Sequence, residues 1–581
     1  MNSTPLDPVR RLRLRAVLLS FFAIAFATAS GRSDEPATAG PTLELPKLTV
    51  TESAGLPELE SWRYAQITGF EVLANASDRE STRLLADFLK FQQAVRMVWP
   101  APTKPLAAST LILCGRERKF DAFIPTNLRS SESPVPSLFL RNREQIAIVV
   151  DLEARRVDIK DPVALLNNNA TSVEYEIDAY RQLYREYVHY LLSQGEVRRP
   201  AWLEEGLAQV VMDIELTDKT LILGKVQTYR GSATGGSPVP AEDTDATVAD
   251  AVVGEQPFNM VLQHSALLPL DRFFAITHED EEARHPLGNT LWAKQAYAFV
   301  HFCLFGERLQ YKEALATFVN RLAREPLSET LFKECFHTSY AEMTKQLRGY
   351  ILYTKHKYQK YALTDNDRVT PDSITLGDAS AAQIGLLKGD ALRLAAHPEA
   401  ALTEYRGAYL RGGREPALLA GLADVQTDPA LARRFNDEAV RTGVKRPSAY
   451  LTQARARLAD FKADPGPDGK FTPTQMSALL TPLFKARSLP PPLPETYELI
   501  AEAWAASSVP PKPEHLGVLD EGVRQFPRNS ELLYRTAKLY QQAGATPTAL
   551  SITQLGLRFA TDPAAKTRLE ELQKTLSAKA N

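Results

Sequence analysis

Two short polar motifs in helix-forming, otherwise apolar sequence constrain this chain more than any other feature. They are REYVH at residues 185–189 and WLEEGLA at residues 202–208. A helical period places Arg185 and His189 on one face, because residues four apart are neighbours on a helix. Pro200 favours the start of a second helix just ahead of WLEEGLA. If the two helices pack together, Glu205 can reach the face that carries His189, so the pattern predicts a polar site between them.

The double motif resembles that of the gluzincin, or peptidase MA-like, family, and the resemblance runs from about residue 70 to about residue 351. In that family, two histidines of an H-E-x-x-H helix and a glutamate of a later W-L-x-E-G-x-A helix bind zinc. The resemblance implies that Glu186 matches the general base, which is the residue that activates water. It also implies that His189 and Glu205 match metal ligands, within a gluzincin-like domain at residues 63–362.

One position departs from the family pattern, because Arg185 stands where the first zinc-binding histidine is expected. A guanidinium is always protonated and has no lone pair for a metal. Its fixed positive charge would repel a dication, and an ion pair with Glu205 would fill the gap instead. We therefore expect a blocked, inactive site without a cofactor. Zinc is the cofactor of the alternative, an active peptidase with an atypical ligand such as His264, His278 or His285.

The N-terminus has the features of an export signal. Four arginines precede the apolar run AVLLSFFAIAFATA at residues 16–29, which ends in small residues suited to cleavage. The run is too short to span a bilayer comfortably. Residues 1–29 are therefore predicted to be a signal peptide, with an uncleaved anchor as the alternative, and residues 30–62 a flexible linker. The protein is expected to be exported, to the periplasm or the extracellular space.

Charge and motif content argue against several other functions. The 581 residues include 68 basic and 70 acidic side chains, a net charge of −2, which calls for neither nucleic acid nor a membrane surface as partner. Neither G-x-S-x-G nor G-x-x-x-x-G-K-[ST] occurs, so serine hydrolysis and nucleotide hydrolysis are not indicated. Cys114, Cys303 and Cys335 lack the short spacings of a disulfide framework or a cysteine metal site. A single bridge between Cys303 and Cys335 stays open.

Residue periodicity predicts a small mixed sheet ahead of the motif helices. Alternating apolar residues indicate strands at residues 64–75 and 109–114, and a hairpin formed by residues 137–140 and 145–150. A helix is predicted at residues 78–99, with Ser77 as its N-cap. Further helices are predicted at residues 172–193, 202–211, 289–305, 311–324 and 328–363.

From about Leu376 onward the chain is predicted to be helical, without strands. Gly389, Ala401, Tyr405 and Ala408 have the small-and-aromatic spacing of a tetratricopeptide repeat. Near the C-terminus, Ala501 and Trp504 precede Ala537 and Tyr540 by 36 residues, close to the roughly 34-residue period of such repeats. The predicted fold class is thus α+β, a small mixed sheet with zincin-like helices. An all-α, tetratricopeptide-like region at residues 376–581 follows, with an irregular helical domain as the alternative.

These features predict a secreted, gluzincin-like protein with a degenerate zinc motif that is a non-catalytic scaffold for peptide or protein partners. A groove near the motif and the concave face of the helical repeats would provide the binding surfaces. An active zinc metallopeptidase is the main alternative. A plain repeat scaffold, whose front domain only folds, is the third.

Overall fold

The fold comes from a computed structural model. It describes residues 58–98, 108–129, 135–153, 156–159, 173–176, 178–193, 199–217, 219–226, 257–306, 310–353, 356–363, 374–466 and 468–580. The predicted signal peptide at residues 1–29 and most of the predicted linker at residues 30–62 lie outside this part of the chain.

The main sheet is mixed, as the sequence predicts. Its strands are β1 (Arg63–Ile67), β2 (Phe70–Ala74), β3 (Ala108–Cys114), β4 (Ser137–Arg141), β5 (Gln145–Asp151) and β11 (Gly377–Asp378). They lie in the order β11-β1-β2-β3-β5-β4. The pairs β2–β3 and β3–β5 are parallel, and the pairs β1–β11, β1–β2 and β4–β5 are antiparallel. The predicted β4–β5 hairpin is therefore confirmed.

The single strand predicted at residues 64–75 is instead the hairpin of β1 and β2. Gly69 lies in the turn at a φ of 86°, a conformation that glycine adopts at no steric cost. The apolar alternation continues on both sides of this turn, which is why the sequence pattern did not reveal it. β11 is a second difference, since no strand was expected after Leu376.

Side chains of the sheet alternate between two buried faces. Val72, Leu111 and Ile148 belong to one apolar core, whereas Leu73 and Ile112 belong to the other. This is the period of two that a pleated strand imposes. A sheet buried on both faces needs a cover on each side, and the two covers come from distant parts of the chain.

The first cover consists of helices of the front region. These are α1 (Asp78–Val98), α3 (Ala179–Ser193), α4 (Ala201–Met212), α5 (Phe258–Leu262), α6 (Leu270–Ala275), α7 (Leu291–Phe305), α8 (Lys312–Leu322), α9 (Glu329–Phe336) and α10 (Tyr340–Ile351). The short helix α2 (Thr126–Arg129) lies on the other face, where Leu128 packs against the second core. Tyr184 of α3 stacks on Phe91 of α1 with a ring separation of 3.7 Å, and Tyr187 packs edge-on against Phe88. This aromatic face fixes the rotation of α3, so its polar face turns towards α4.

Two smaller sheets explain why two of the predicted helices were too long. One consists of β6 (Arg156–Ile159) and β7 (Val173–Glu176). The other consists of β8 (Glu215–Leu216), β9 (Thr220–Leu223) and β10 (Gln359–Ala362). The motif helix predicted from residue 172 begins at Ala179, because residues 173–176 pair with β6. The helix predicted at residues 328–363 is divided into α9, α10 and β10. His337 ends α9 in the left-handed region.

The C-terminal region is all-helical apart from β11, as predicted. Its helices are α11 (Ala381–Leu394), α12 (Pro398–Leu410), α13 (Pro416–Val425), α14 (Pro429–Arg441), α15 (Pro447–Ala463), α16 (Pro473–Arg487), α17 (Pro494–Ala506), α18 (Pro513–Gln525), α19 (Ser530–Gln542), α20 (Thr546–Phe559) and α21 (Pro563–Ala580). Tyr405 of α12 packs between two glycines, since a Cβ at Gly389 or Gly421 would lie 2.5–2.6 Å from its ring. Small residues thus permit the close helix packing that the repeat spacing predicts.

The second cover of the sheet is the start of this helical region. Ile384 and Leu387 of α11 share one apolar core with Ile112 and Val149 of the sheet. The helical region is therefore packed on the sheet rather than tethered behind it.

The linker predicted at residues 30–62 does not extend to its predicted end. Trp62 is buried at 2% exposure. The carboxylate of Glu60 accepts hydrogen bonds from Lys119 and Lys388 at 2.9 and 2.8 Å. The last residues of this segment thus belong to the fold.

Cys114, Cys303 and Cys335 are all buried and free, so the open Cys303–Cys335 bridge is not formed. Within the described ranges, no helix has both the length and the apolarity needed to cross a membrane.

Candidate functional site

The centre of the site is Arg185, which lies between two carboxylates at the contact of α3 and α4. Its Nη1 donates to Glu186 Oε1 at 3.0 Å, and its Nη2 donates to Glu205 Oε2 at 2.8 Å. The three residues are only 3–5% exposed. Charge-assisted hydrogen bonds of this length are the strong ones. The sequence suggested that Arg185 would pair with Glu205, and the structure divides the guanidinium between Glu205 and Glu186.

A loop between α6 and α7 covers the guanidinium. Arg185 Nη1 also donates to the carbonyl oxygen of Pro286 at 3.0 Å, and Gln209 Nε2 donates to the carbonyl oxygen of Gly288 at 2.8 Å. Gly288 has a φ of 59°, and a Cβ there would collide with Glu205. The backbone of the loop therefore lies so close to Glu205 that only glycine fits at position 288.

Glu205 is held as an anion by the groups around it. Its Oε1 accepts from Gln209 Nε2 at 2.7 Å, and Lys294 Nζ donates to Gln209 Oε1 at 3.1 Å. Burial by itself would raise the pKa of Glu205, but Arg185 and His189 together lower it well below its usual range. The carboxylate is consequently committed to ion pairs within the protein.

His189 lies beside two adjacent glutamates of α4. Its Nε2 is 3.4 Å from Glu205 Oε2, and its Nδ1 is 3.9 Å from Glu204 Oε2. Burial lowers the pKa of His189, but the two carboxylates outweigh it and raise the pKa to about 9. At neutral pH the ring therefore favours the imidazolium form, in which both nitrogens carry protons and can donate to the two carboxylates.

Glu186, the residue matched to a general base, is engaged from the sheet side as well. Ser137 Oγ on β4 donates to Glu186 Oε1 at 2.8 Å, and the same hydroxyl lies 3.3 Å from Gln182 Oε1. One carboxylate oxygen thus receives bonds from both Ser137 and Arg185. This arrangement orients Glu186 as a structural acceptor.

Of the three histidines considered as a substitute ligand, His278 and His285 lie near the site. His278 Nε2 is 2.8 Å from Glu204 Oε2. Burial and the charge of Arg185 lower the pKa of His285 to about 4, and its Nδ1 accepts from the backbone N–H of Leu287 at 3.3 Å. His264 is exposed. Glu204 therefore links His278 and His189, and Arg185 holds the position beside Glu205 that a substitute ligand would need.

A second polar cluster lies one turn earlier on α3. Arg181 pairs with Asp213, and Tyr297 OH donates to Asp213 Oδ2 at 2.9 Å. Tyr297 is bound to Asp213 and stabilises the packing of α7 beside α4.

Sequence reasoning missed several contributors to the site. Gln209 follows Glu205 by one helical turn, so the i, i+4 spacing could have indicated it. Glu204 stood within the motif but was given no role. Ser137 and Lys294 are distant in sequence from both motifs, and only the packing of β4 and α7 brings them in.

These residues do not fit a zinc ion. A catalytic zinc site needs three protein ligands with free lone pairs and an open position. Here the position next to His189 and Glu205 is filled by the guanidinium of Arg185, which has no lone pair to donate to a metal. Among the residues that the structure describes, no group of three His, Cys, Asp or Glu side chains is arranged to hold a metal.

Comparison with known proteins assigns no family to this chain. No family model matches it, that of the gluzincins included, and no curated protein matches it. Among solved structures, a thermophilic TPR protein from Thermus thermophilus is similar at 19% sequence identity and a TM-score of 0.24. The similarity covers 33% of this chain and 98% of that chain. Neither result assigns an activity to the site.

Proposed function

We propose that this protein is a non-catalytic scaffold of gluzincin-like ancestry, exported from the cell, that binds a segment of a protein partner. The observation that carries the proposal is the ion-paired Arg185 between Glu186 and Glu205. Breaking a buried ion pair by removing one partner typically costs about 3–5 kcal/mol. The guanidinium of Arg185 therefore occupies the site, and a metal ion would first have to break its ion pairs with Glu186 and Glu205.

A groove near the site supplies a binding surface for a partner. It has a volume of about 550 Å³ and lies between the N-terminus of α4 and the end of the helical region. Arg199, His278, Arg528 and Arg558 line it, and no described lining residue is acidic. Clusters of arginine recognise acidic or phosphorylated peptide segments. The groove therefore favours a partner with an acidic segment.

His278 connects this groove to the interior. Its ring lines the groove and lies 2.8 Å from Glu204 Oε2, and Glu204 lies beside His189. The tetratricopeptide-like helices contribute the opposite wall through Arg528 and Arg558. Both parts of the chain would then contribute to one binding surface, which is consistent with a scaffold rather than with two independent modules.

The non-catalytic part of the proposal is tested by metal content and proteolysis. Purified wild-type protein should contain no stoichiometric zinc and should not cleave casein. Arg185→His should gain zinc affinity by orders of magnitude, because a third ligand completes the usual catalytic set. Arg181→His is the matched control, since Arg181 lies one turn earlier and pairs with Asp213, so it should gain nothing. A wild type that cleaves casein, is inhibited by a chelator and loses activity on Glu186→Gln would establish the alternative, an active metallopeptidase.

The binding part is tested with a fluorescent oligoglutamate peptide as probe. Its fluorescence anisotropy should rise with protein concentration, and the affinity should fall as salt is raised, because exposed charges are screened within about 8 Å at 0.15 M. The double substitution Arg528→Gln with Arg558→Gln should abolish binding. Arg524→Gln removes an exposed arginine of α18 outside the groove and should leave binding unchanged. Equal binding of an oligolysine peptide would contradict the proposal.

A further inference from the structure

A second cavity, of about 410 Å³, lies behind the two motif helices. Its walls are formed by residues of α1, α3, α4, α7 and α8 and of the strands β9 and β10. The side chains that line it are mostly aliphatic, among them Leu192, Leu207, Val211, Leu223 and Leu315. Each of these five is buried, at 4–8% exposure. The cavity is thus an apolar pocket that opens to solvent rather than a polar cleft.

An apolar chamber of this size fits an apolar ligand. Empty cavities are destabilising, because the side chains that line them lose dispersion contacts on one side. Apolar cavities exclude water and take up apolar molecules instead. The volume falls within the roughly 300–1,000 Å³ of small-molecule sites, which are mostly apolar with a few placed polar groups.

The polar groups of this cavity lie at its mouth. Lys312, Ala316 and Asn320 recur every four residues on α8, are exposed, and form one edge of the opening. The two charged residues among the described lining are Arg199 and Lys312, and both are basic. Neither forms an ion pair with another described residue. An apolar chamber with a cationic mouth is complementary to a molecule with an apolar tail and an anionic head.

We infer that this cavity binds a long-chain fatty acid. The alkyl chain lies between α4 and α8, against Leu207 and Leu315, and the carboxylate meets Lys312 and Arg199 at the opening. Arginine and lysine donate charge-assisted hydrogen bonds to carboxylates. The site is separate from the ion-paired Arg185, shares Arg199 with the groove of the proposed function, and goes beyond that function.

The inference is tested by calorimetric titration of the delipidated full-length protein with palmitate, hexadecan-1-ol and hexanoate. Palmitate should bind at one site per chain. Hexadecan-1-ol, which lacks the charge, should bind about tenfold more weakly, the change that a loss of about 1.4 kcal/mol produces. Hexanoate, which leaves most of the chamber empty, should not bind measurably. Equal affinities for palmitate and hexadecan-1-ol, or no saturable binding of palmitate, would overturn the inference.

Three variants locate the site. Ala316→Trp should fill the mouth and abolish binding, and because Ala316 is exposed the fold should tolerate it. Lys312→Gln with Arg199→Gln should reduce palmitate affinity to that of hexadecan-1-ol. Lys360→Gln is the control, since Lys360 is exposed on β10 between Gln359 and Tyr361, which line the cavity. Thermal unfolding checks that each variant folds. Palmitate binding that survives Ala316→Trp in a folded variant would place the ligand elsewhere.

Discussion

At the scale of single residues, Arg185 decides the chemistry of the central site. A histidine at this position could donate a lone pair, whereas a guanidinium can only donate protons. The same side chain also satisfies two buried carboxylates, Glu186 and Glu205. Arg185 therefore places a proton donor, not a lone pair, at the centre of the site and stabilises the fold through the same hydrogen bonds.

A second residue with a defined protonation state is His301, which is fully buried. Its Nε2 lies 2.7 Å from the carbonyl oxygen of Gly224, and its Nδ1 lies 2.7 Å from Tyr350 OH. A carbonyl oxygen only accepts, so Nε2 carries the proton and Nδ1 accepts from the tyrosine. Burial lowers the pKa of His301 to about 3. The ring is thus held neutral.

Acid should destabilise the protein through His301. The unfolded ring protonates near pH 6.5 and the folded ring only near pH 3, so the unfolded state binds more protons between these values. The stabilisation is present above pH 6.5 and is lost as pH falls towards 3, at about 1.4 kcal/mol per pH unit. In His301→Gln, the unfolding free energy measured with urea should depend less steeply on pH between pH 6.5 and 4.5, by about 1.4 kcal/mol per pH unit. His264→Gln, at an exposed position, should retain the wild-type slope, and an unchanged slope in His301→Gln would contradict the assignment.

At the scale of elements, the crossing of α4 and α7 positions Glu205. Gly206 lies at the contact, where a Cβ would come within 2.5 Å of the carbonyl oxygen of Ala296 and of Val300 Cγ2. Two helices can approach this closely only where one of them lacks a side chain. The glycine of the WLEEGLA motif therefore serves packing, and this packing places Glu205 against Arg185.

Alanine at two helical glycines should have opposite effects. Gly206→Ala forces α4 and α7 apart and should lower the unfolding free energy by about 1–3 kcal/mol, the usual cost of overpacking. Gly349→Ala lies in α10 with no atom within 4 Å of the new Cβ and should raise it by about 0.4–1 kcal/mol. Urea unfolding followed by circular dichroism measures both. Equal effects at the two positions would show that helix propensity, not the crossing, dominates.

At the scale of the whole molecule, the sequence boundary near residue 376 does not coincide with a boundary of the core. α11 covers one face of the sheet, where Ile384 and Leu387 share an apolar core with Ile112 and Val149. Glu144, which precedes β5, accepts from the backbone N–H of Ser448 at 2.8 Å. Apolar and polar contacts thus join the two regions.

A chain truncated after residue 375 should not fold as a stable front domain. It would expose Leu73, Ile112 and Val149, which are fully buried in the complete chain, and large exposed apolar patches promote aggregation. We expect strong binding of a hydrophobic dye and loss of a cooperative thermal transition, compared with the full-length protein. A soluble truncated chain that melts cooperatively near the full-length temperature would show that the sheet does not need its second cover.

The local sequence determined most of the helices and strands, and it determined that residue 185 cannot be a metal ligand. Apolar periodicity located α1, α4 and the β4–β5 hairpin, because burial of one face repeats with the geometry of each element. Residue type alone showed that Arg185 cannot bind a metal. Glycine, alanine and aromatic spacing predicted the helical region, because close packing of helices needs small residues at regular positions.

Only the tertiary structure decided which distant groups complete the site. The bond from Ser137 to Glu186, the carbonyl of Pro286 on Arg185 and the contact of His278 with Glu204 join residues with no sequence relationship. Tertiary structure also decided that residues 173–176 form β7 and pair with β6 instead of extending α3. It likewise decided that α11 packs against the main sheet. Periodicity shows which face of a helix or strand is buried, but it does not show which other element packs against that face. The packing of these elements determines both the ion pairs of Arg185 and the apolar cavity behind the motif helices.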